Sequence, residues 1–195
     1  NIQLGDGNDS LLSAKLANGD SVEMGAGDDT VYVMVSSISG TSLSKLDGGS
    51  GSDLLAFTES SGSNGQTLSL TSAGATNFEN LLGSSYQEIL QGDANDNWIA
   101  GDSGVDTLYG YAGNDRLAAG GYSIFNYGND DPADPIQSSL SSQGSDNDAL
   151  YGGAGNDSLY GSSGDNTLDG GTGTDTIFSG AGSDTIVIRS GDGSN

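Results

Sequence analysis

Between Gln143 and Val187 the chain repeats one pattern five times: six polar or flexible residues, then three centred on an aliphatic one. The units are QGSDNDALY, GGAGNDSLY, GSSGDNTLD, GGTGTDTIF and SGAGSDTIV, without a gap. Position eight holds Leu150, Leu159, Leu168, Ile177 and Ile186, and position six holds Asp148, Asp157, Asn166, Asp175 and Asp184. An extended triplet covers roughly 10 Å and turns its central side chain to one face, its flanking ones to the other. The aliphatic residues therefore predict short strands with position eight facing inward. Glycine at positions two and four suits a reversal that needs φ > 0. Two units then make one coil, and units i and i+2 stack at about 4.8 Å.

The same pattern recurs upstream. Leu4–Leu12, a degenerate Lys15–Glu23, Met24–Tyr32 and Gly48–Ala56 carry Asp9, Asp20, Asp29 and Asp53 at position six. Val31–Val35 is a β-branched run that predicts a longer strand. Four units in register fill Gly83–Ala118, with Glu88, Asn97, Asp106 and Asp115 at position six. Position eight is Leu, Ile or Val in all 13 units, so the inward row never lapses. Two stretches break the period. In the first, Thr67–Thr71 alternates like one strand, and Phe78 with Leu81–Leu82 reads as a cap on the following stack. The second, 119–142, holds both prolines, Pro132 and Pro135, and the acidic patch Asp130, Asp131 and Asp134; its length marks an excursion from the stack. The expected organisation is 1–56 degenerate repeats with an insertion, 57–82 an insertion or cap, 83–118 an array, 119–142 a loop insertion, and 143–195 a final array and tail. No helix is expected, because no segment sustains a 3.6-residue period.

Composition narrows the function. The chain has 195 residues, 34 of them Gly, and a net charge of -23. Too few large apolar residues are present for a spherical core, whereas a one-dimensional stack needs one per strand. The acidic balance argues against nucleic acid and against anionic lipid, and favours a cation. With no Cys and no His, thiol, metal-hydrolase and most acid–base arrangements are out of reach. No apolar run is long enough to span a membrane. The start at Asn1, three residues before a repeat, and the Gly/Asp/Ser tail suggest a piece of something longer.

Stacking the coils also stacks the position-six carboxylates. Two of them at about 5 Å repel by about 0.8 kcal/mol at a dielectric of 80 and about 3 kcal/mol at 20. A divalent cation between turns would remove that repulsion. An all-oxygen donor set in flexible, glycine-rich backbone suits Ca²⁺ better than Mg²⁺ or Zn²⁺. Position nine carries Tyr32, Tyr109, Tyr151, Tyr160 and Phe178, expected to project outward, with Tyr160 and Phe178 stacked on one face. That face is either sheet-stiffening or a docking patch for a partner chain or glycan.

GGAGNDSLY, GGTGTDTIF, GGSGSDLLA and MGAGDDTVY resemble the RTX family, the calcium-binding nonapeptide repeats of secreted bacterial proteins. The resemblance covers the 13 units and not the insertions. It implies a right-handed parallel β-roll, an all-β solenoid, with several Ca²⁺ ions between turns. The ligands it implies are position-six carboxylates and carbonyls of the glycine turns. The best pair is Asp157 with Asp175, flanked by Gly153, Gly155, Gly171 and Gly173. Asp106 pairs with Glu88, Asp115 with Asn97, Asp148 and Asp184 with Asn166, and Asp9 with Asp29; Asp53 holds the equivalent position. The resemblance further implies type I secretion from a Gram-negative-type bacterium and calcium-driven ordering at the cell surface or beyond. Two functions fit: a non-catalytic structural module of a surface-layer, adhesin or filament protein, with self-association or a cell-surface glycan as partner; or the accessory repeat domain of a secreted protease, lipase or polysaccharide epimerase.

Overall fold

A computed structural model describes residues 1–14, 21–34, 46–58, 66–70, 75–120 and 146–189. Among them every regular element is a strand. In chain order these are β1 (Ile2–Gln3), β2 (Ser10–Ala14), β3 (Val22–Glu23), β4 (Thr30–Met34), β5 (Leu46–Asp47), β6 (Leu54–Thr58), β7 (Gln66–Ser69), β8 (Ala75–Thr76) and β9 (Asn80–Leu82). They continue as β10 (Glu88–Gln91), β11 (Trp98–Ala100), β12 (Thr107–Ala112), β13 (Arg116–Ala118), β14 (Ala149–Ala154), β15 (Ser158–Tyr160), β16 (Thr167–Thr172), β17 (Thr176–Phe178) and β18 (Thr185–Val187). Every pairing is parallel, and the strands form a β-solenoid. One wall is continuous along eight strands, in the order β17-β15-β13-β11-β9-β6-β4-β2. The opposing wall is built from two sheets, β1-β3-β5-β8 and β18-β16-β14-β12-β10-β7.

Position eight sets the register. Ile99 lies opposite Leu81 and Leu117, Leu117 opposite Leu159, and Leu159 opposite Ile177. On the facing wall Leu90, Leu108, Leu150, Leu168 and Ile186 form the matching row. Leu81, Leu90, Ile99, Leu108, Leu117, Leu150, Leu159 and Leu168 are fully buried in one core cluster. Burying a side chain of that size stabilises by about 1.5–3 kcal/mol, so a chain poor in apolar residues still holds each coil.

The first break in the period does not cap the stack. β9 pairs with β6 on one side and β11 on the other, so Leu81–Leu82 lie inside the continuous wall. The strand expected at Thr67–Thr71 is met by β7, which begins one residue earlier and ends at Ser69; Thr71 lies outside the described residues. β7 forms the edge of the six-stranded sheet beside β10. β8 instead closes the four-stranded sheet beside β5. In chain order β7 thus belongs to one sheet of the second wall and β8 to the other. Val22 of the degenerate unit is buried and pairs with Ile2 and Leu46. The β-branched run at Val31 is the five-residue strand β4.

The second break leaves the register intact. β12 pairs with β14 and β13 with β15 across it, so the second and third arrays are one stack. Ala119 N–H donates to Tyr160 O at 2.9 Å, the bond that Gly101 N–H makes to Ala118 O and Gly161 N–H to Phe178 O. Ala119 therefore stands at position one, in register with Gly101 and Gly161, with Gly120 after it. The prolines, Asp130, Asp131, Asp134, Gln143, Gly144 and the tail beyond Arg189 lie outside the described residues, as does Asp20.

The outer face of the eight-stranded wall is not open along its length. Leu54, Ala56, Leu82, Ala100 and Ala118 form a second buried cluster there. The expected aromatic pair does stack, Tyr160 on Phe178 at 5.2 Å between centroids, and Tyr109 stacks on Tyr151 at 5.0 Å, a pairing not expected from the sequence. Tyr111, unforeseen in the sequence, joins Tyr109 at 5.9 Å. In the same position-nine row as Tyr109 and Tyr151 stands Asp169, buried and ion-paired to Arg189 at the end of the stack.

Candidate metal centre

Each turn positions its acid by the same rule. The position-six carboxylate reaches back one coil, and its Oδ1 accepts the backbone N–H of the position-six residue there. Asp115 N–H donates to Asp157 Oδ1 at 2.8 Å and Asp157 N–H to Asp175 Oδ1 at 3.0 Å. The row begins with Asp9 N–H to Asp29 Oδ1 and Asp29 N–H to Asp53 Oδ1. It continues with Asp53 N–H to Glu79 Oε2 and Asn97 N–H to Asp115 Oδ1. Before the other wall the order is Glu88 to Asp106, Asp106 to Asp148, Asp148 to Asn166 and Asn166 to Asp184. Every expected neighbour pair is thus adjacent. The carboxylates, however, do not face one another bare: apart from Asp9 in the first coil and Glu88, one oxygen of each is bound to the coil behind.

The second oxygen is the chemical problem. Oδ2 of Asp29, Asp53, Asp106, Asp115 and Asp157 is buried and accepts no hydrogen bond. A buried carboxylate oxygen without a partner costs on the order of 1–3 kcal/mol or more. Carbonyls crowd the same spot. A β-carbon on Gly152 would collide with both Asp157 Oδ2 and Gly170 O, and one on Gly110 with Asp115 Oδ2 and Gly152 O. The position-one glycine, the own-turn carboxylate and the position-one carbonyl of the next coil therefore share one pocket of oxygens. Burial drives the carboxyls upward: Asp106 to about 9, Asp115 to about 7, and Asp53, Asp148 and Asp157 to about 6. Bonds from the coil behind pull the other way, and neighbouring acids add to the rise. Negative, dehydrated oxygens beside carbonyl dipoles fit a hard cation. Among the described residues no three acidic side chains converge, so backbone carbonyls must complete any such site, as Ca²⁺ permits.

The other expected site residues fall into place unevenly. Gly153, Gly155, Gly171 and Gly173 all have positive φ. A β-carbon on Gly171 or Gly173 would strike the carbonyl of Gly153 or Gly155, so these glycines set the coil spacing. Asp175 Oδ1 accepts Asp157 N–H, and Asp184 Oδ1 accepts Asn166 N–H. Glu88 differs from the aspartates, since both its oxygens are taken within its own turn by Ser84, through the hydroxyl and the N–H. Burial still raises its pKa.

Two sets of residues were missed. Glu79 fills position six of a shortened turn, where Asn77–Glu79 replace the usual six residues and Asn77 has φ 56. Position five forms a second row running the opposite way. Asn8 Oδ1 accepts from Asp28 N–H, Asp96 from Asn114, Asn114 from Asn156, Asn156 from Thr174, and Asp165 from Ser183. The signal was visible, because position five is often Asn or Asp.

A parallel solenoid whose coils meet through glycine turns lined with buried acids is a β-roll with cation-binding turns. The family model for the RTX calcium-binding nonapeptide repeat matches four times, at residues 82–121, 143–177, 151–186 and 160–194. The repeat arrays of this chain match that family, whose repeats bind several Ca²⁺ ions. No curated protein matches the chain. The arrays form a calcium-binding repeat module of the kind carried by secreted proteins, a structural rather than catalytic unit.

Proposed function

We propose that this chain is a structural and assembly module of a large secreted bacterial protein, of surface-layer, adhesin or filament type. Calcium orders it outside the cell. The observation that carries the reading is the set of buried Oδ2 atoms on Asp29, Asp53, Asp106, Asp115 and Asp157. Each would bind one side of an ion, with carbonyls of the glycine turns completing the shell. Calcium-binding extracellular modules work at Kd values of about 10⁻⁴–10⁻³ M, a range suited to folding after export. A cation bound only by the folded chain stabilises it by mass action.

Circular dichroism and calcium counting, with and without chelator, test the reading. Several ions bound and a strand signal weakened in chelator are expected. A full strand signal that ignores chelator would end it. A chain that orders with calcium but neither self-associates nor adheres to cells would instead support an accessory domain of a secreted enzyme.

A further inference from the structure

Two of the position-six residues are Asn, and the structure shows what one of them does with the change. Asn166 is buried and keeps the place of an aspartate in the row: its Oδ1 accepts Asp148 N–H at 2.8 Å. Its Nδ2 takes the place of the second carboxylate oxygen, and there it donates to Gly161 O at 2.6 Å and Gly164 O at 3.2 Å. Those are the carbonyls of positions one and four of its own turn. In the preceding unit, positions one and four are Gly152 and Gly155, and the group beside Gly152 is the partnerless Oδ2 of Asp157. One molecule therefore contains the same turn in two versions. With Asp, oxygens meet oxygens and a positive charge is needed between them. With Asn, a donor N–H₂ meets the carbonyls and nothing is missing.

We propose that Asn166 makes an ion-free rung in the calcium ladder, its amide nitrogen standing where Ca²⁺ is held beside Asp157. The inference rests on the calcium reading of the previous subsection. Two other rungs are closed by different means. Asn97 Oδ1 accepts Asp93 N–H at 2.7 Å and its Nδ2 donates to Asp93 Oδ1 at 3.3 Å, where Asp93 replaces the usual position-two glycine. Glu88 is closed by Ser84. The number of ions is accordingly smaller than the number of repeats, and the closed turns hold their shape without calcium.

Equilibrium dialysis against calcium at saturation, with far-UV dichroism, tests the proposal on the whole chain and two variants. Asn166→Asp should bind one more ion than the wild type. Asp157→Asn should bind one fewer and keep its strand signal, because the new amide can donate to Gly152 and Gly155 carbonyls as Asn166 does to Gly161 and Gly164. An unchanged count in both variants overturns it. Should Asn166→Asp fail to fold, Asp157→Asn decides alone: one ion lost supports the proposal, an unchanged count overturns it. A wild-type chain that binds several ions while Asn166→Asp adds none sinks only this inference. A wild type that binds none sinks the calcium reading and this one together.

Discussion

At the scale of the residue, the protein turns on what happens to the second oxygen of a buried carboxylate. Proton and calcium compete for it, since either neutralises the charge that burial disfavours. The sign of the pH effect follows from the direction of the shifts. Asp106 holds its proton to about 9 in the folded chain, against 3.8 when exposed. The calcium-free fold therefore has its full stability below about pH 4 and loses it as pH rises towards 9. Asp53, Asp148 and Asp157 act in the same direction with their windows closing near 6, and Asp115 near 7. In chelator, the denaturation midpoint should be higher at pH 5 than at pH 8, and Asp106→Asn should flatten that slope. A midpoint that climbs with pH in chelator would contradict this account of the acids. With calcium present the trend should reverse, because acid then displaces the ion.

At the scale of the element, a coil is two triplets and two turns, and the turn tolerates less change than the strand. Gly173 has φ 138, and a β-carbon there would enter the Gly155 carbonyl. Gly173→Ala should cost about 1–3 kcal/mol from backbone strain alone. Thr172→Ala, exposed in the same turn, should stay within about 0.5 kcal/mol. Chemical denaturation at fixed calcium compares them, and equal midpoints would refute the argument from close stacking. The same contrast explains what could be read from the chain. Full turns carry Gly, Gly and Asp in fixed phase, so Asp157, Asp175 and their strands were legible. β5 and β8 were not: a two-residue strand shows one inward side chain, Leu46 or Ala75, and one residue makes no period. Glu79 was hidden because its turn is three residues shorter. The bond direction of positions five and six, and the closure of Glu88 by Ser84, depend on neighbours that only the folded coil supplies. Position nine was read as outward, correctly by alternation, yet Ala56, Ala100 and Ala118 are buried there, a matter of covering that alternation does not address.

At the scale of the molecule, eight strands in one wall make a quasi-linear object in which each coil contacts its neighbours and little else. The step between stacked position-six residues is 18 residues in most of the second half and 42 between Asp115 and Asp157. Ala119 and Gly120 stand at positions one and two, and Asp146, Asn147 and Asp148 at positions four to six, of the nine-residue pattern, with 24 extra residues between them in the sequence. Removing 121–144 would join Gly120 to Ser145 and restore a nine-residue unit, AGSDNDALY. That deletion should leave the number of bound ions and the calcium-loaded melting temperature close to those of the intact chain. A lost ion or a broad, early melt would show that the segment helps to hold the stack.

The closeness in the stack of Ala119, bonded to Tyr160, and Asp146, bonded to Gly104, has a further consequence. Closing a loop twice as long costs only about 0.6 kcal/mol more, while the rungs above and below are fixed by bonds that do not involve what lies between. The spine thus offers a berth on its flank, open to cargo of almost any length, provided that the cargo brings its two ends home to neighbouring points of one turn.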